Sequence, residues 1–352
     1  MHRVRRRRLV PLLAVVLILA GCSSGSGRPA ARGAEASSGP GVAVVAPPSA
    51  SGPSASPSGS PSAAAGCGTF PADNVWHADV SRLPVNPNSA AWVASMGADR
   101  GARPDFGSGT VDGAPFGIPV TAVPAGQAKV PVTFEYGDES DPGPYPIPAK
   151  ALVEGGPNAD GDRHVIAFDS AACKVWELFD AHPLGNGSWR AGSGAVFDLR
   201  SNALRRSGWT SADAAGLSVY AGLVRYDEVA AGRIDHVIRM TAARTQKKFV
   251  WPARHAASSS TDPALPPMGA WFRLKASVDV SRFPAQARVV AEALKRHGAI
   301  IADNGSSWFI SGTQDDRWSN DGLNALKSLK GSDFEAVDVS GMMRDPNSGA
   351  VR

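Results

Sequence analysis

The chain has 352 residues, of which 43% are hydrophobic and 19% are charged, so it is long enough to bury a large core. Its formal net charge is +4, but residues 1–21 hold five Arg and no acidic residue, which leaves the remainder at −1. A nearly neutral chain has no general electrostatic field to attract nucleic acid, so we expect no nucleic-acid partner.

The N-terminus is organised like an export signal. A basic stretch at 3–8 precedes a twelve-residue apolar run at 9–20, which is too short to span a bilayer. The next residues, Leu-Ala-Gly-Cys ending at Cys22, resemble the bacterial lipobox, in which the cysteine is diacylated through sulfur after cleavage. This resemblance implies a signal peptide at 1–21 and a lipid anchor on Cys22 at the extracytoplasmic face of the cell membrane. The alternative is an ordinary secretory signal with a coincidental cysteine.

Composition divides the rest of the chain into three parts. Residues 22–66 are almost entirely Ser, Gly, Pro and Ala after the cysteine, and such a segment cannot bury enough apolar surface to offset its ordering entropy. We expect a disordered tether there. Residues 67–340 have a globular composition without a second low-complexity linker and predict a single β-rich domain, and 341–352 predict a flexible tail.

The two remaining cysteines predict a disulfide. If Cys22 carries lipid, Cys67 and Cys173 are left in an oxidising compartment, where an even remainder favours a bond. Two unpaired thiols are the alternative. The bond would attach the beginning of the globular part to its middle.

Short apolar segments separated by turn residues indicate strands at 130–134, 164–169, 174–179, 194–199, 223–229, 234–241, 247–251 and 270–275. This spacing predicts a mainly β fold, either an antiparallel β-sandwich or a barrel-like domain. The break at 230–232 predicts a hairpin turn.

The C-terminal part adds one long helix and a few short ones. Apolar residues at helical spacing predict a helix at 284–297, with Pro284 in its first turn and Gly298 as its C-cap. A second, short helix is predicted at 320–329. The Asn304-Gly305 pair predicts a hairpin between strands at 299–302 and 307–310.

Sequence motifs do not identify an activity. The chain has no HExxH, P-loop, Rossmann glycine pattern or paired CxxC motif. The segments 194–202, 208–217, 223–228, 235–239, 250–255 and 294–305 together resemble an uncharacterised group of secreted proteins, and the resemblance covers most of 67–339. It implies no catalytic residue.

Residue chemistry in the tract 188–255 predicts a site. General acid–base chemistry needs carboxyl groups and a titratable base, and the candidates for these roles are Asp198, Asp227 and His255. Arg225, Trp251 and Arg254 are the candidates for substrate binding. We expect all six around one concavity. The alternatives are a surface ion pair of Asp198 with Arg200, and surface positions for Arg254 and His255.

Three further features have both a functional and a structural interpretation. His236 lies in an apolar run and is interpreted as a hydrogen-bonded core histidine. Trp271, Arg273 and Lys275 share a strand face, which can bind a sugar or form a solvated surface. Asn158, Asp160 and Asp162 alternate like the oxygen ligands of a calcium loop, but the EF-hand pattern fails, so a plain turn is favoured over Ca²⁺ and no other cofactor or metal is expected.

Two classes of function follow. The first is a surface-anchored carbohydrate-active enzyme, a polysaccharide hydrolase or lyase that uses acidic, His and Arg side chains. The second is a non-catalytic glycan-binding or cell-envelope module that uses the same Trp and Arg side chains. In both, the partners are the membrane, through the lipid on Cys22, and a polysaccharide.

Overall fold

Short strands joined by turns dominate residues 67–352, which are the residues that the computed structural model describes. The predicted signal peptide, the lipidation of Cys22 and the tether at 22–66 lie outside the described residues. Within 67–352, no helix is long and apolar enough to cross a membrane.

The strands of this part of the chain are β1 (Arg103–Asp105), β2 (Thr110–Val111), β3 (Ala114–Pro115), β4 (Val120–Ala122), β5 (Val132–Phe134), β6 (Val165–Asp169), β7 (Lys174–Phe179), β8 (His182–Pro183), β9 (Trp189–Ala191), β10 (Ser193–Asp198), β11 (Ile238–Ala242), β12 (Trp271–Leu274), β13 (Ala299–Asn304), β14 (Phe309–Ser311) and β15 (Phe334–Val337).

The α-helices are α1 (Ser89–Met96), α2 (Val219–Gly222), α3 (Tyr226–Ala230), α4 (Ala285–Arg296) and α5 (Asn320–Leu323). Short 3₁₀ helices occupy Val75–His77, Gly137–Glu139, Asn324–Ser328, Gly331–Asp333 and Ser340–Met342. The predicted mainly β class with few helices is therefore confirmed.

The largest sheet has the strand order β1-β14-β11-β13-β12-β15 and packs against α1 and α4. Its pairing is mixed, because β1 is parallel to β14 and β11 is parallel to β13. The predicted helix at 284–297 corresponds to α4, whose apolar face is buried in the core of this sheet. Gly298 ends the helix at φ +70°, where an added Cβ would lie 2.5 Å from the Phe272 carbonyl oxygen.

The predicted hairpin at Asn304-Gly305 is wrong. Strands β13 and β14 are not neighbours, because β11 lies between them and pairs with both. The chain reverses over the end of β11, where the Gly305 and Trp308 amides donate to the carbonyl oxygens of Ala242 and Thr241 over 3.1 and 3.2 Å. An Asn-Gly pair indicates a tight reversal, but it does not require the two flanking strands to pair.

The second sheet, β10-β7-β6-β4, is buried on both faces. Along β6, Ile166 and Phe168 enter one core, and Val165 and Ala167 enter another on the opposite face. The second core is closed by a three-stranded sheet, β5-β9-β8. These sheets are packed layers and are open at their edges.

The predicted disulfide is confirmed. Cys67 and Cys173 are bonded, with a Cα–Cα distance of 5.5 Å and a sequence separation of 106 residues. Both cysteines are buried in the same core as Ile166 and Phe168. The bond attaches the first described residue to the turn between β6 and β7.

Two predicted strands do not form. Residues 223–229 instead contain α3, whose first turn carries Asp227 and Glu228 and therefore suits the positive end of the helix dipole. The predicted hairpin turn at 230–232 is the end of this helix, with Gly232 at φ +84°. Residues 247–251 form only an isolated bridge between Phe249 and Met268.

The predicted flexible tail is also corrected. Residues 341–352 make bridges from Ser348 to Ala203 and from Ala350 to Asn74. The Gly349 amide donates to the Asn202 carbonyl over 2.6 Å. Polar composition suggested flexibility, but the backbone groups of this segment are hydrogen-bonded to the domain.

Candidate functional site

A cavity of about 410 Å³, hereafter the main cavity, brings four carboxyl groups and one imidazole together. It is lined by Tyr136, Glu139, Asp162, Phe179, Ser193, Thr210, Ser211, Ala212, Asp213, Ala214, His255, Ala257 and Asp303. Concave sites that combine aromatic walls with a few convergent polar groups are typical of ligand-binding sites.

The floor of the main cavity is a buried charge cluster. Arg239 donates from Nε to Asp213 Oδ2 over 3.0 Å and from Nη2 to Asp303 Oδ2 over 3.1 Å. Its Nη1 donates to Ser311 Oγ over 2.7 Å. The side chains of Asp213 and Arg239 are 0% and 4% exposed, whereas Asp303 is 17% exposed and reaches the cavity.

A β-bulge places Asp303 in this cluster. Met240 pairs with Ile301, but the next pair joins Thr241 to Asp303, so Ala302 is the extra residue. Without the bulge, strand alternation would turn Asp303 away from the face that carries Arg239 and Thr241. The amide of Ala215 donates to the Ala302 carbonyl over 2.8 Å, which attaches the loop that carries Asp213 to the bulge.

Burial changes the acidity of both carboxyl groups. Desolvation raises the pKa of Asp213 to about 7 against the opposing effect of Arg239, and the nearby charge of Asp303 raises it further. Desolvation also raises the pKa of Asp303, again opposed by Arg239, and the charge of Asp162 adds to this rise. Two carboxyl groups that share one guanidinium therefore retain protons at higher pH than exposed carboxyl groups do.

The loop that presents Asp213 is held by its own hydrogen bonds. Ser211 Oγ accepts from the Asp213 amide over 2.9 Å and lies within hydrogen-bond distance of the Leu217 carbonyl. Gly216 has φ +70°, and a Cβ there would lie 2.5 Å from the Trp209 carbonyl oxygen. The carboxyl group of Asp213 is thus fixed by a turn that only glycine fits closely.

A second buried pair supports the same loop. His164 Nδ1 lies 2.6 Å from Glu154 Oε2, and His164 Nε2 lies 3.0 Å from the Ala212 carbonyl oxygen. Burial by itself would lower the pKa of His164, but the Glu154 carboxylate outweighs it and raises this pKa to about 9. The imidazole is therefore charged at neutral pH and donates to both partners.

The lining of the main cavity also includes Glu139 and His255. The Nε2 atom of His255 lies 3.8 Å from Glu139 Oε2, while its Nδ1 bonds to the Ala214 carbonyl over 2.8 Å. The Thr210 amide donates to Glu139 Oε2 over 3.2 Å. The imidazole Nε2 thus faces the cavity beside a carboxylate, where it can transfer a proton.

Asp162 connects the main cavity to a neighbour, hereafter the acidic cavity, because it lines both. The acidic cavity has a volume of about 550 Å³, and its lining includes Asp105, Asp112, Glu154 and Asp160. Burial raises the pKa of Asp105, and the charge of Glu154 adds to the effect. Together the two cavities favour neutral or positively charged ligands.

The six residues predicted for one concavity do not share a cavity. His255 lines the main cavity, whereas Asp198 lines an adjoining one, where its half-exposed carboxylate lies 4.0 Å from Lys174 Nζ. Trp251 lies in a third region beside Trp92 and donates from Nε1 to the Ser348 carbonyl over 2.9 Å. The expected shared concavity is therefore wrong, because the segments that carry His255, Asp198 and Trp251 lie along different cavities in the fold.

The two arginines predicted to bind substrate are buried and bond to other groups of the protein. Arg254 donates to the Arg205 carbonyl over 2.7 Å and to Asn347 Oδ1 over 2.7 Å, and so fastens the C-terminal segment. Arg225 donates to the Tyr220 carbonyl over 2.8 Å and pairs with Glu228. Neither guanidinium lines the main cavity, the acidic cavity or the cavity that holds Asp198.

Asp227 and His236, which lie in or near α3, also bond to other side chains of the protein. Asp227 pairs with Arg317 over 2.8 Å and lines none of these three cavities. The interpretation of His236 as a core residue is confirmed, because it is 2% exposed and bonds to Glu228 Oε2 over 3.1 Å.

The strand face that carries Trp271, Arg273 and Lys275 packs against other parts of the protein. Trp271 is 1% exposed and donates from Nε1 to the His297 carbonyl over 2.7 Å. Arg273 donates to Glu335 Oε1 over 2.9 Å and to two carbonyl groups. Lys275 donates to the Ser332 carbonyl over 2.7 Å. Their partners therefore belong to the protein itself.

The possible calcium loop forms one side of the acidic cavity. Asn158, Asp160 and Asp162 all line it. Within residues 67–352, no group of three or more His, Cys, Asp or Glu side chains is arranged to hold a metal ion. These three residues therefore form part of the wall of the acidic cavity.

Sequence reasoning missed Asp213, Asp303 and Asp162 as members of one site. A usable signal was present in β11, where an arginine stands between Ile238 and Met240. A buried guanidinium needs carboxylate partners, so Arg239 indicates that Asp or Glu side chains from elsewhere in the chain lie beside it.

Comparisons of the chain with protein-family models, with curated proteins and with solved structures find no match.

Proposed function

We propose that the protein is an extracytoplasmic glycoside hydrolase, anchored at the cell surface by lipid on Cys22, that cleaves a neutral or positively charged polysaccharide. One observation carries this proposal. Asp303, a carboxyl group whose pKa is raised by burial, lies beside the exposed Asp162 in one cavity with aromatic walls. Glycoside hydrolysis requires two carboxyl groups in different protonation states.

In the proposed reaction, Asp303 donates its proton to the glycosidic oxygen as the bond from that oxygen to the anomeric carbon breaks. Asp162 is the second carboxylate, which accepts a proton from a water molecule as the oxygen of that water bonds to the anomeric carbon. Arg239 is a positioning residue, because it bonds to Asp303 and does not line the main cavity, and Asp213 in turn holds the Arg239 guanidinium. Tyr136, which is 50% exposed, and Phe179 supply apolar surface for a sugar ring.

The charge of the site favours hydrolysis over a lyase reaction. A lyase on uronates needs a cation that neutralises the substrate carboxylate. Among the described residues that line the main cavity there is no Lys or Arg, and the nearby Arg239 is bonded to Asp213 and Asp303. An anionic chain would also meet the carboxylates of the acidic cavity.

The proposed surface location rests on the sequence. The basic stretch, the short apolar run and the cysteine at the end of that run support lipidation. The Ser, Gly, Pro and Ala segment supports a tether, which would hold the enzyme away from the membrane and near a polymeric substrate.

The test is incubation of the full chain, purified in detergent, with soluble chitosan, xylan and β-glucan, and with alginate and polygalacturonate as anionic polymers. We expect new reducing ends from at least one of the first three. Asp303→Asn and Asp162→Asn should each lower kcat by about 100- to 10,000-fold while binding is retained. Asp279→Asn, on an exposed loop, is the control and should leave turnover unchanged.

Three outcomes would contradict the proposal. An unsaturated product absorbing in the ultraviolet, released from alginate or polygalacturonate, would indicate a lyase. Full turnover by both Asn variants would show that the two carboxyl groups are not catalytic. Binding without cleavage of any polymer would favour the alternative, a glycan-binding module.

A further inference from the structure

A third cavity lies next to the main cavity, because Arg205 in its lining donates to the backbone of Glu139 in the lining of the main cavity. It has a volume of about 410 Å³ and is hereafter the tryptophan cavity. Its lining includes Asp141, Asp198, Arg205, Arg206 and Trp209. A half-buried indole beside a carboxylate and a guanidinium combines an apolar surface with hydrogen-bonding groups for hydroxyls, as a sugar-binding position requires.

Arg205 joins this cavity to the main one. Its Nη2 donates to the carbonyl oxygen of Glu139, which lines the main cavity, over 2.9 Å. Its Nη1 bonds to Asp141, which lines the tryptophan cavity. Trp209 is next in sequence to Thr210, which lines the main cavity. A single buried arginine thus forms the boundary between two neighbouring concavities.

The indole of Trp209 is held by two arginines. The Cζ atom of Arg205 lies 5.6 Å from the ring centroid and that of Arg206 lies 4.7 Å from it. Arg205 is buried and Arg206 is exposed. Cation–π contacts of this kind hold an aromatic side chain at the surface and leave the exposed guanidinium able to donate to a ligand.

We infer that the acidic, main and tryptophan cavities form one extended groove that binds several consecutive sugar units, so that the enzyme cleaves inside a polymer and not at its end. This inference rests on the proposed hydrolase function. Asp162 is shared at one boundary and Arg205 spans the other. Asp303 lies in the central cavity, with binding surface on both sides of it.

The inference assigns a substrate-binding role to Trp209 and to Asp198. Neither residue lines the cavity that holds Asp303, so both act on affinity for a long chain and not on bond cleavage itself. A glycan of two units can occupy the main cavity without reaching Trp209, whereas a polymer crosses both cavities.

The first measurement is the ratio of viscosity loss to reducing ends during cleavage of soluble chitosan or β-glucan by the full chain. Internal cleavage lowers viscosity early, when few ends have formed. Trp209→Ala should raise KM for the polymer by about tenfold, and should raise KM for a chromogenic disaccharide of the same sugar by a smaller factor. The matched control is Phe249→Ala, which removes an exposed aromatic ring that lines none of the three cavities.

The second measurement does not depend on turnover. Affinity electrophoresis in gels that contain the same two polymers should show retarded wild-type protein, and Trp209→Ala should be retarded less. If none of chitosan, xylan and β-glucan is cleaved but this difference in retardation remains, the hydrolase proposal fails, and the three cavities still form a groove that binds a polymer. Cleavage that releases only terminal units would refute the groove. So would a Trp209→Ala variant that matches the Phe249→Ala control in both measurements. In either case the proposed hydrolase function would be retained. Protein that is not retarded by chitosan or β-glucan and is inactive on chitosan, xylan and β-glucan would overturn both proposals.

Discussion

Arg239 and Asp213 form an ion pair at a distance of 3.0 Å, with both side chains 4% exposed or less. The same guanidinium also bonds to Asp303, so one positive charge balances two carboxyl groups in a site that water barely reaches. An unpaired buried charge is far more costly than a paired one. Loss of the guanidinium in the candidate site should therefore also lower the stability of the fold.

Arg239→Met should lower the free energy of unfolding by about 3 to 5 kcal/mol, because two buried carboxyl groups lose their counter-charge. Urea unfolding measures the change. The control is Arg190→Met, since Arg190 is 49% exposed and lies 3.6 Å from Asp180, and surface pairs contribute no more than about 1 kcal/mol. A loss for Arg239→Met no larger than that of the control would contradict the prediction.

The Glu154–His164 pair predicts a pH dependence of stability. The folded state raises the pKa of His164 from 6.5 to about 9, so the contribution of the imidazole is fully present below pH 6.5 and is lost as pH rises through 9. Because the side chain is buried, the loss is up to about 3 kcal/mol across this interval.

His164→Asn removes the titrating group. The variant should be less stable than the wild type at pH 6, and the two should converge as pH rises towards 9. Unfolding curves over this range test the prediction, and His182→Asn, at a partly exposed histidine, is the control. Parallel pH curves for the wild type and His164→Asn would show that the ion pair does not contribute.

Turnover should depend on a protonated carboxyl group. Because burial raises the pKa of Asp303, we expect kcat to be highest in acidic solution, and to decline with rising pH at a higher pH than an exposed carboxyl group would cause. The residual activity of Asp303→Asn should lack this decline. Activity that increases steadily from pH 5 to about pH 9 would be inconsistent with Asp303 as the acid.

Cys22→Ala should stop lipid attachment, either releasing the protein or leaving the precursor uncleaved. The reason is the small residues that precede this cysteine at the end of a short apolar run. Membrane fractionation and metabolic labelling with a fatty acid are the measurements. Unchanged labelling of the variant would refute lipidation at this position.

The Cys67–Cys173 bond should stabilise the domain. It closes a loop of 106 residues, for which loop entropy predicts about 4 to 5 kcal/mol, so reduction should lower the melting temperature. In the Cys22→Ala chain, thiol titration after unfolding without reductant should find no reactive thiol. Two reactive thiols would mean that the bond does not form.

The parts of the fold that sequence predicts well are those in which local pattern and burial agree. Strand β7 coincides with the predicted segment 174–179, because both its faces are covered and four of its six residues are apolar. Helix α4 was predicted from its amphipathic spacing. By contrast, 223–229 has strand-like composition, yet its acidic residues begin a helix.

By itself, the sequence determined the mainly β class, the helix at 284–297, and the pairing of Cys67 with Cys173, because periodicity and cysteine number are local or countable properties. Only the tertiary structure decided the site. Arg239 lies 26 residues from Asp213 and 64 from Asp303, and no local pattern relates them. A bulge at Ala302 sets the face on which Asp303 lies, and this bulge arises from the register between two strands that are distant in sequence.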